Sequence, residues 1–69
     1  MLNKIPERLK ELRENKGLTL EEVANGINTK KGSVSRWENA KCLPNIESVI
    51  LLAKFFNETT DYLLGLTDD

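Results

Sequence analysis

The chain has no histidine and a single cysteine, Cys42, among its 69 residues. An intramolecular disulfide is therefore excluded, and a structural zinc site lacks the ligands it needs. There is no glycine-rich phosphate loop and no nucleophile beside a base, so no convergent catalytic site emerges. The carboxylates alternate with lysines and arginines as solvated helix faces do. Neither an enzyme activity nor a metal or cofactor is expected. The longest uninterrupted apolar run, Val49-Ile50-Leu51-Leu52-Ala53, is far too short to span a bilayer. No basic-then-apolar leader opens the chain, which makes a reducing cytoplasm the expected compartment. Cys42 stands beside Lys41, and with no resolving group near it in sequence an inert thiol outweighs a redox switch.

What is present is a small soluble composition, 39% hydrophobic and 30% charged. A chain this short is expected to form one domain over residues 1–69 and to bury only about 60% of its unfolded surface. Its net charge of −1 and pI near 5.4 argue at first against a polyanionic partner. The distribution of charge points the other way. Five bases and five acids cancel over residues 1–29, and residues 42–69 carry −4. Residues 30–41 set Lys30, Lys31, Arg36 and Lys41 against Glu38, for a net +3.

That basic stretch belongs to the most ordered pattern in the chain, GLTLEEVANGINTKKGSVSRWENAKCLP. Thr19 is an N-cap whose hydroxyl suits the amide of Glu22, while the Glu22 carboxylate suits the amide of Thr19. Leu18 and Val23 have the spacing of a hydrophobic staple. Val23, Ala24 and Ile27 form an apolar stripe, and Asn28 can take the left-handed angles of a tight turn. A second helix follows at about 31–39, with Val34 and Trp37 facing inward. Its other face carries Lys31, Gly32, Ser33, Ser35 and Arg36. A capped helix, a tight turn and an exposed basic helix are what a helix-turn-helix needs to reach the major groove of DNA.

The flanks read as scaffold. Ile5, Leu9 and Leu12 form an inward stripe on helix 1, with Asn3 as its cap, Pro6 in its first turn and Gly17 as its stop. Asn45 caps helix 4, where Ile46, Val49, Ile50, Leu52, Ala53 and Phe56 supply most of the core. Thr59 caps a short fifth helix that Gly65 ends, with Leu66 placed for the contact that accompanies such stops. No alternating run suggests a strand. The fold class is all-α.

From about Ile5 to Leu66 the chain resembles the phage repressor/Cro type of helix-turn-helix, with the usual pattern LTQxELAxxLGVSxxxISRWENGxxxPS. The matching residues are Leu18-Thr19-Leu20-Glu21-Glu22-Val23-Ala24, then Val34-Ser35-Arg36-Trp37-Glu38-Asn39, then Pro44-Asn45. The resemblance implies a compact five-helix, lambda-repressor-like domain with its motif at about 19–39. It also implies a transcriptional regulator, most simply a repressor, that binds a near-palindromic double-stranded operator as a homodimer. Lys31, Gly32, Ser33 and Arg36 would face bases, and Thr19, Lys30, Asn39 and Lys41 would contact phosphates. Relatives carry Arg and Glu at the places of Arg13 and Glu38, so an ion pair is implied there. Dimer contacts are expected around helix 5, from Phe56, Tyr62 and Leu66.

Several positions depart from the pattern. Leu20 replaces a phosphate-contacting Gln, Thr29 replaces a buried Val or Ile, and Asn28 replaces Gly. Lys30 stands where Ser or Thr usually caps the recognition helix, which shifts the expected cap to Thr29. Gly32 replaces a side chain that reads bases; it either permits close approach to the duplex or weakens the helix by about 1 kcal/mol. Ala40 replaces a Gly of positive φ, at a cost on the order of 1 kcal/mol. Leu51 stands where a polar residue would suit helix 4. Two other functions are compatible with these residues. One is an antitoxin-type regulator that also binds a toxin; the other is a protein-interaction module that has lost DNA binding.

Overall fold

The computed structural model describes residues 4–67, which form five helices and no strand. These are α1 (Ile5–Asn15), α2 (Leu20–Gly26), α3 (Lys31–Glu38), α4 (Ile46–Phe56) and α5 (Thr60–Leu64). Three of them start on a side-chain cap. The hydroxyl of Thr19 accepts from the Glu22 amide at 3.1 Å, and the Thr19 amide donates to Glu22 Oε1 at 2.8 Å, completing a capping box. Asn45 accepts from the Ser48 amide at 2.8 Å, and Thr59 from the Tyr62 amide at 3.0 Å.

The other two helices lack the side-chain caps expected of them. Helix α1 begins after Lys4, which provides no side-chain cap, while Pro6 occupies the first turn without loss of a hydrogen bond. Asn3, the expected cap, lies outside the described residues. Helix α3 begins after Lys30, again with no side-chain cap, so Thr29 does not fill that role. Thr29 stands one residue too early and closes the preceding helix instead, its amide donating to the Ala24 carbonyl at 2.8 Å.

All five helices end alike. The last turn is followed by a left-handed residue: Gly17 at φ 66°, Asn28 and Ala40 at 60°, Asn57 at 57° and Gly65 at 83°. The next amide then reaches back over the end, from Leu18 to Arg13 at 3.1 Å and from Lys41 to Arg36 at 2.9 Å. Glu58 does the same to Ala53 at 2.8 Å, and Leu66 to Asp61 at 2.9 Å. These are Schellman closures, and they satisfy carbonyls that would otherwise lack partners. Gly and Asn tolerate the required angles. Ala40 does not, because its Cβ crowds the following carbonyl.

The inward stripes meet in one core. Leu9, Val23, Val34, Leu52 and Leu63, one from each helix, are almost fully buried, and Trp37 packs beside them. Helix α2 meets α4 at Gly26, where a Cβ would fall 2.2 Å from Cε1 of Phe55, so any other residue would have to displace that ring. Ile46 and Ile50, expected in the core, lie instead on the exposed side of α4, while Phe56 turns inward with Val49, Leu52 and Ala53, and only 3% of it is exposed. This corrects its expected place in a dimer contact, since a side chain on the buried stripe of its helix cannot also meet a partner. Arg8 ties α1 to α5 and to the segment that follows it. Its Nη1 donates to the Tyr62 carbonyl and, at 2.6 Å, to that of Thr67, while its guanidinium lies 4.2 Å from the Tyr62 ring centre. Tyr62 in turn donates to Glu11 Oε1 at 3.2 Å. Burial first, and then this bond, push the Tyr62 phenol above its ordinary pKa.

Ala40 is exposed, so exchanging it for glycine removes the backbone conflict without opening a cavity. Ala40→Gly is expected to stabilise the chain by about 1 kcal/mol, after allowance for the greater freedom of glycine in the unfolded state. For a domain of this size that is a rise in Tm of about 4–8 °C, readable by thermal melts followed by circular dichroism. An unchanged or lowered Tm would count against a strained α3 terminus.

Candidate nucleic-acid interface

Helix α3 is built with two unlike faces. Val34 and Trp37 anchor it in the core, three residues apart and so on one side of the helix. Lys31, Gly32 and Arg36 are exposed on the other side, with Ser33 and Ser35 half-buried along the edges. The Arg36 guanidinium folds back along the helix, its Nη2 donating to Ser33 Oγ at 3.4 Å. A Cβ on Gly32 would stand 3.4 Å from Arg36 Nη1, an ordinary contact. The glycine is therefore not required by the packing of the chain itself.

The ends of α3 add further cations. Lys30 precedes it and Lys41 follows its Schellman closure, both exposed. Among the described residues, Lys30, Lys31, Arg36 and Lys41 hold no ion pair with an acid. Asn39 is exposed, and its Nδ2 donates to the Ser35 carbonyl at 2.9 Å, closing the helix end. The hydroxyl of Thr19 is engaged in the capping box, at the start of α2. Between the starts of α2 and α3 lies an open depression of about 430 Å³, lined by Arg13, Thr19, Leu20, Glu21 and Lys31. Leu20 turns partly into the core there, so the position offers no polar group to a ligand. Glu21 in this depression carries no signal in the sequence, where it reads as a solvated charge in a first helical turn.

Glu38, the one acid of the α3 segment, is neutralised from another helix. Arg13 Nε donates to Glu38 Oε2 at 2.7 Å and Nη2 to Oε1 at 3.0 Å, a bidentate pair. Arg13 Nη1 also donates to the Leu18 carbonyl at 2.9 Å. The side chains are only 15% and 6% exposed. The bond to Glu38 raises the Arg13 pKa, and this guanidinium keeps its charge. One guanidinium thus joins the end of α1, the loop before α2 and the last residue of α3.

A capped helix, a left-handed turn at Asn28 and a core-anchored helix with a cationic outer face define a helix-turn-helix of the DNA-binding class. The helix-turn-helix family model matches residues 9–63, and the chain belongs to that family, of the Cro and phage-repressor type. It is 41% identical over 59 residues to the HTH-type transcriptional activator BcrR of Enterococcus faecalis, covering 86% of this chain and 29% of that protein. It is 36% identical over 63 residues to the transcriptional regulator YobD of Bacillus subtilis, covering 91% of this chain and 56% of that one. To ImmR, a transcriptional regulator of the same organism, it is 36% identical over 58 residues, or 84% of this chain and 46% of that one. The chain thus spans from under a third to just over half of these relatives. Among solved structures it is similar to the P22 c2 repressor in complex with a synthetic operator, with a TM-score of 0.85 and 26% identity over 88% of this chain and 94% of that one. A transcriptional regulator from Listeria innocua superposes with a TM-score of 0.89 and 26% identity, over all of this chain and 64% of that one.

Removing either partner of the Arg13–Glu38 pair strands a charge that water reaches poorly. Arg13→Ala and Glu38→Ala are each expected to cost about 3 kcal/mol, a large share of the roughly 3–10 kcal/mol available to a chain of this length. The double variant is expected to lose clearly less than the sum of the two. Urea unfolding of the four proteins gives the cycle, and a coupling energy of zero would show that the pair holds nothing together.

Proposed function

We propose that this chain is a sequence-specific regulator that places α3 in the major groove of double-stranded DNA, most simply as a repressor. The observation that carries the reading is the outer face of α3: two exposed cations, a glycine and a hydroxyl, with neither cation held in an ion pair. Arg36 and Lys31 suit the N7 and O6 acceptors of guanine, and Ser33 reads an edge more weakly. Lys30 and Lys41 bracket the helix as phosphate contacts, with Thr19 and Asn39 assisting from the start of α2 and the end of α3. Gly32 lets the helix backbone approach the groove closely. Repression needs only that the bound protein block access to the promoter, whereas activation needs a further surface for the transcription machinery. The likeness to an operator-bound repressor supports the first, and the relative named as an activator supplies the alternative.

Two or three base readers are too few to specify a genomic site. Binding as a two-fold dimer doubles them and calls for a near-palindromic operator with half-sites roughly 10 base pairs apart. Selection from random duplexes followed by competition gel shifts tests the reading. One enriched, two-fold symmetric duplex is expected, and binding that never distinguishes sequences would overturn it.

On the selected duplex, Arg36→Ala should cost about 1–3 kcal/mol and relax preference at one base pair of each half-site. Lys41→Ala should instead weaken selected and scrambled duplexes alike and lower the salt slope by about one unit for each copy bound. Equal losses on both duplexes for Arg36→Ala would remove it as a base reader. Gly32→Ala separates fold from function: it should stabilise the unbound protein by up to about 1 kcal/mol while weakening operator binding. Undiminished affinity in that variant would leave Gly32 without a role at the duplex.

A further inference from the structure

The outward face of α4 differs from the other long helix faces. Of the large apolar side chains exposed among the described residues, Leu43, Ile46, Ile50 and Leu51 fall within nine consecutive positions, at 60%, 79%, 43% and 40% exposure. Helices α1, α2 and α3 turn mainly charged and polar residues outward instead. On α4 the exposed residues Glu47, Ile50, Leu51 and Lys54 recur at the spacing of one helical stripe. Ile46 continues this surface toward α5, where it joins Val49, Thr60 and Leu64 around an apolar groove of about 260 Å³. None of these residues lies on α3.

We propose that a second copy of the chain docks on this face, its α4 running antiparallel to the first across a two-fold axis between Ile50 and Leu51. The inference deepens the dimer reading above and rests on it. The order of charges argues for a copy of the same chain. Glu47 lies one turn before the apolar centre, and Lys54 lies one turn after it. Positions equidistant from the axis meet in such a pairing, so Ile50 faces the partner's Leu51 and Glu47 faces the partner's Lys54, each twice by symmetry. A parallel pairing would set acid against acid and base against base. The two rim pairs add little affinity and fix the register. The patch is made of few side chains, whereas stable interfaces bury roughly 1,200 Å² or more, so association in solution is weak. Adjacent half-sites strengthen it by holding two copies at a high effective concentration.

Sedimentation of the 69-residue chain from about 10 μM to about 1 mM tests the proposal. The wild type is expected to shift from monomer to dimer over this range, and Ile50→Asp to remain a monomer. Glu47→Lys alone and Lys54→Glu alone each create two like-charge contacts and should weaken the dimer at least about fivefold. An equimolar mixture of those two variants restores both attractions and should regain the wild-type mass, as should the doubly reversed chain. All four positions are exposed, and the charge variants disturb no core contact, so they keep the test valid if Ile50→Asp fails to fold. A wild type that stays monomeric at the highest concentration, or a mixture no better than its components, would overturn the proposal. Retained duplex preference in that case would leave the DNA reading standing. A dimer with this charge behaviour but no duplex preference would support the interface and sink the DNA reading instead.

Discussion

The angle at which α3 leaves the core decides whether its outer face can enter a groove, and α3 is a short helix, Lys31–Glu38, with little length to hold itself in place. Val34 and Trp37 fix its inner face against the core. The Arg13–Glu38 pair ties its last residue to α1. Because Arg13 also bonds the Leu18 carbonyl, the same guanidinium positions the loop that starts α2. The planar fork matters here, since a lysine could hold one oxygen but not this geometry. Helix-to-helix orientation in this chain therefore rests on a charge pair as well as on packing, with the packing supplying most of the stability.

A second constraint is size. Few residues are available for a core, so each connection has to be short and each helix end closed without help from elsewhere. The chain solves this by repeating one device five times, a left-handed residue followed by an amide that reaches back over the last turn. Each closure reverses the chain within two or three residues and leaves its carbonyls satisfied. Glycine or asparagine fills four of these positions. Ala40, at the end of α3, keeps the geometry despite its Cβ, and nothing in the structure explains why alanine stands there.

How much of this is legible in the sequence depends on whether a feature leaves a side-chain mark. The starts of α2, α4 and α5 are legible because Thr19, Asn45 and Thr59 cap through their own oxygens. The start of α3 at about residue 31 is legible from the pattern, but its cap is not, because Lys30 caps without a side-chain bond, and Lys4 likewise leaves no mark at the start of α1. The left-handed turns at Asn28 and Ala40 are legible, the first from residue type and the second only through the family pattern. Phe56 fits both a core and a dimer surface by residue type; the periodicity of Val49, Leu52, Ala53 and Phe56 favours the core, and burial decides it. The bonds of Arg8 and the Phe55–Gly26 contact leave no trace in the sequence because they join residues far apart along it. The exposure of Lys31, Gly32 and Arg36 follows from helical spacing, whereas spacing says nothing of what they touch.

The ion pair also changes the electrostatic picture of the proposed interface. Counted along the chain, residues 30–41 carry four cations and one acid, a modest +3. In the fold, Glu38 is held by Arg13, so the four cations face outward unopposed by that carboxylate. A net charge of −1 for the whole chain then stops being an objection, because fields that orient a protein near DNA depend on where charges lie within a Debye length, about 8 Å at physiological salt. The acids of the last segment fall on α4, on the turn before α5, on α5 and after it, away from α3 in sequence. If Lys31 and Arg36 are used on bases, Lys30 and Lys41 remain for phosphates. Two phosphate contacts per copy give weak nonspecific affinity and a shallow salt dependence, a slope of about −2 for one copy and about −4 for two. On the proposed reading, a chain with so little nonspecific attraction would draw its operator preference from base contacts and from pairing with a second copy, so the α3 face and the proposed dimer surface would have to act together.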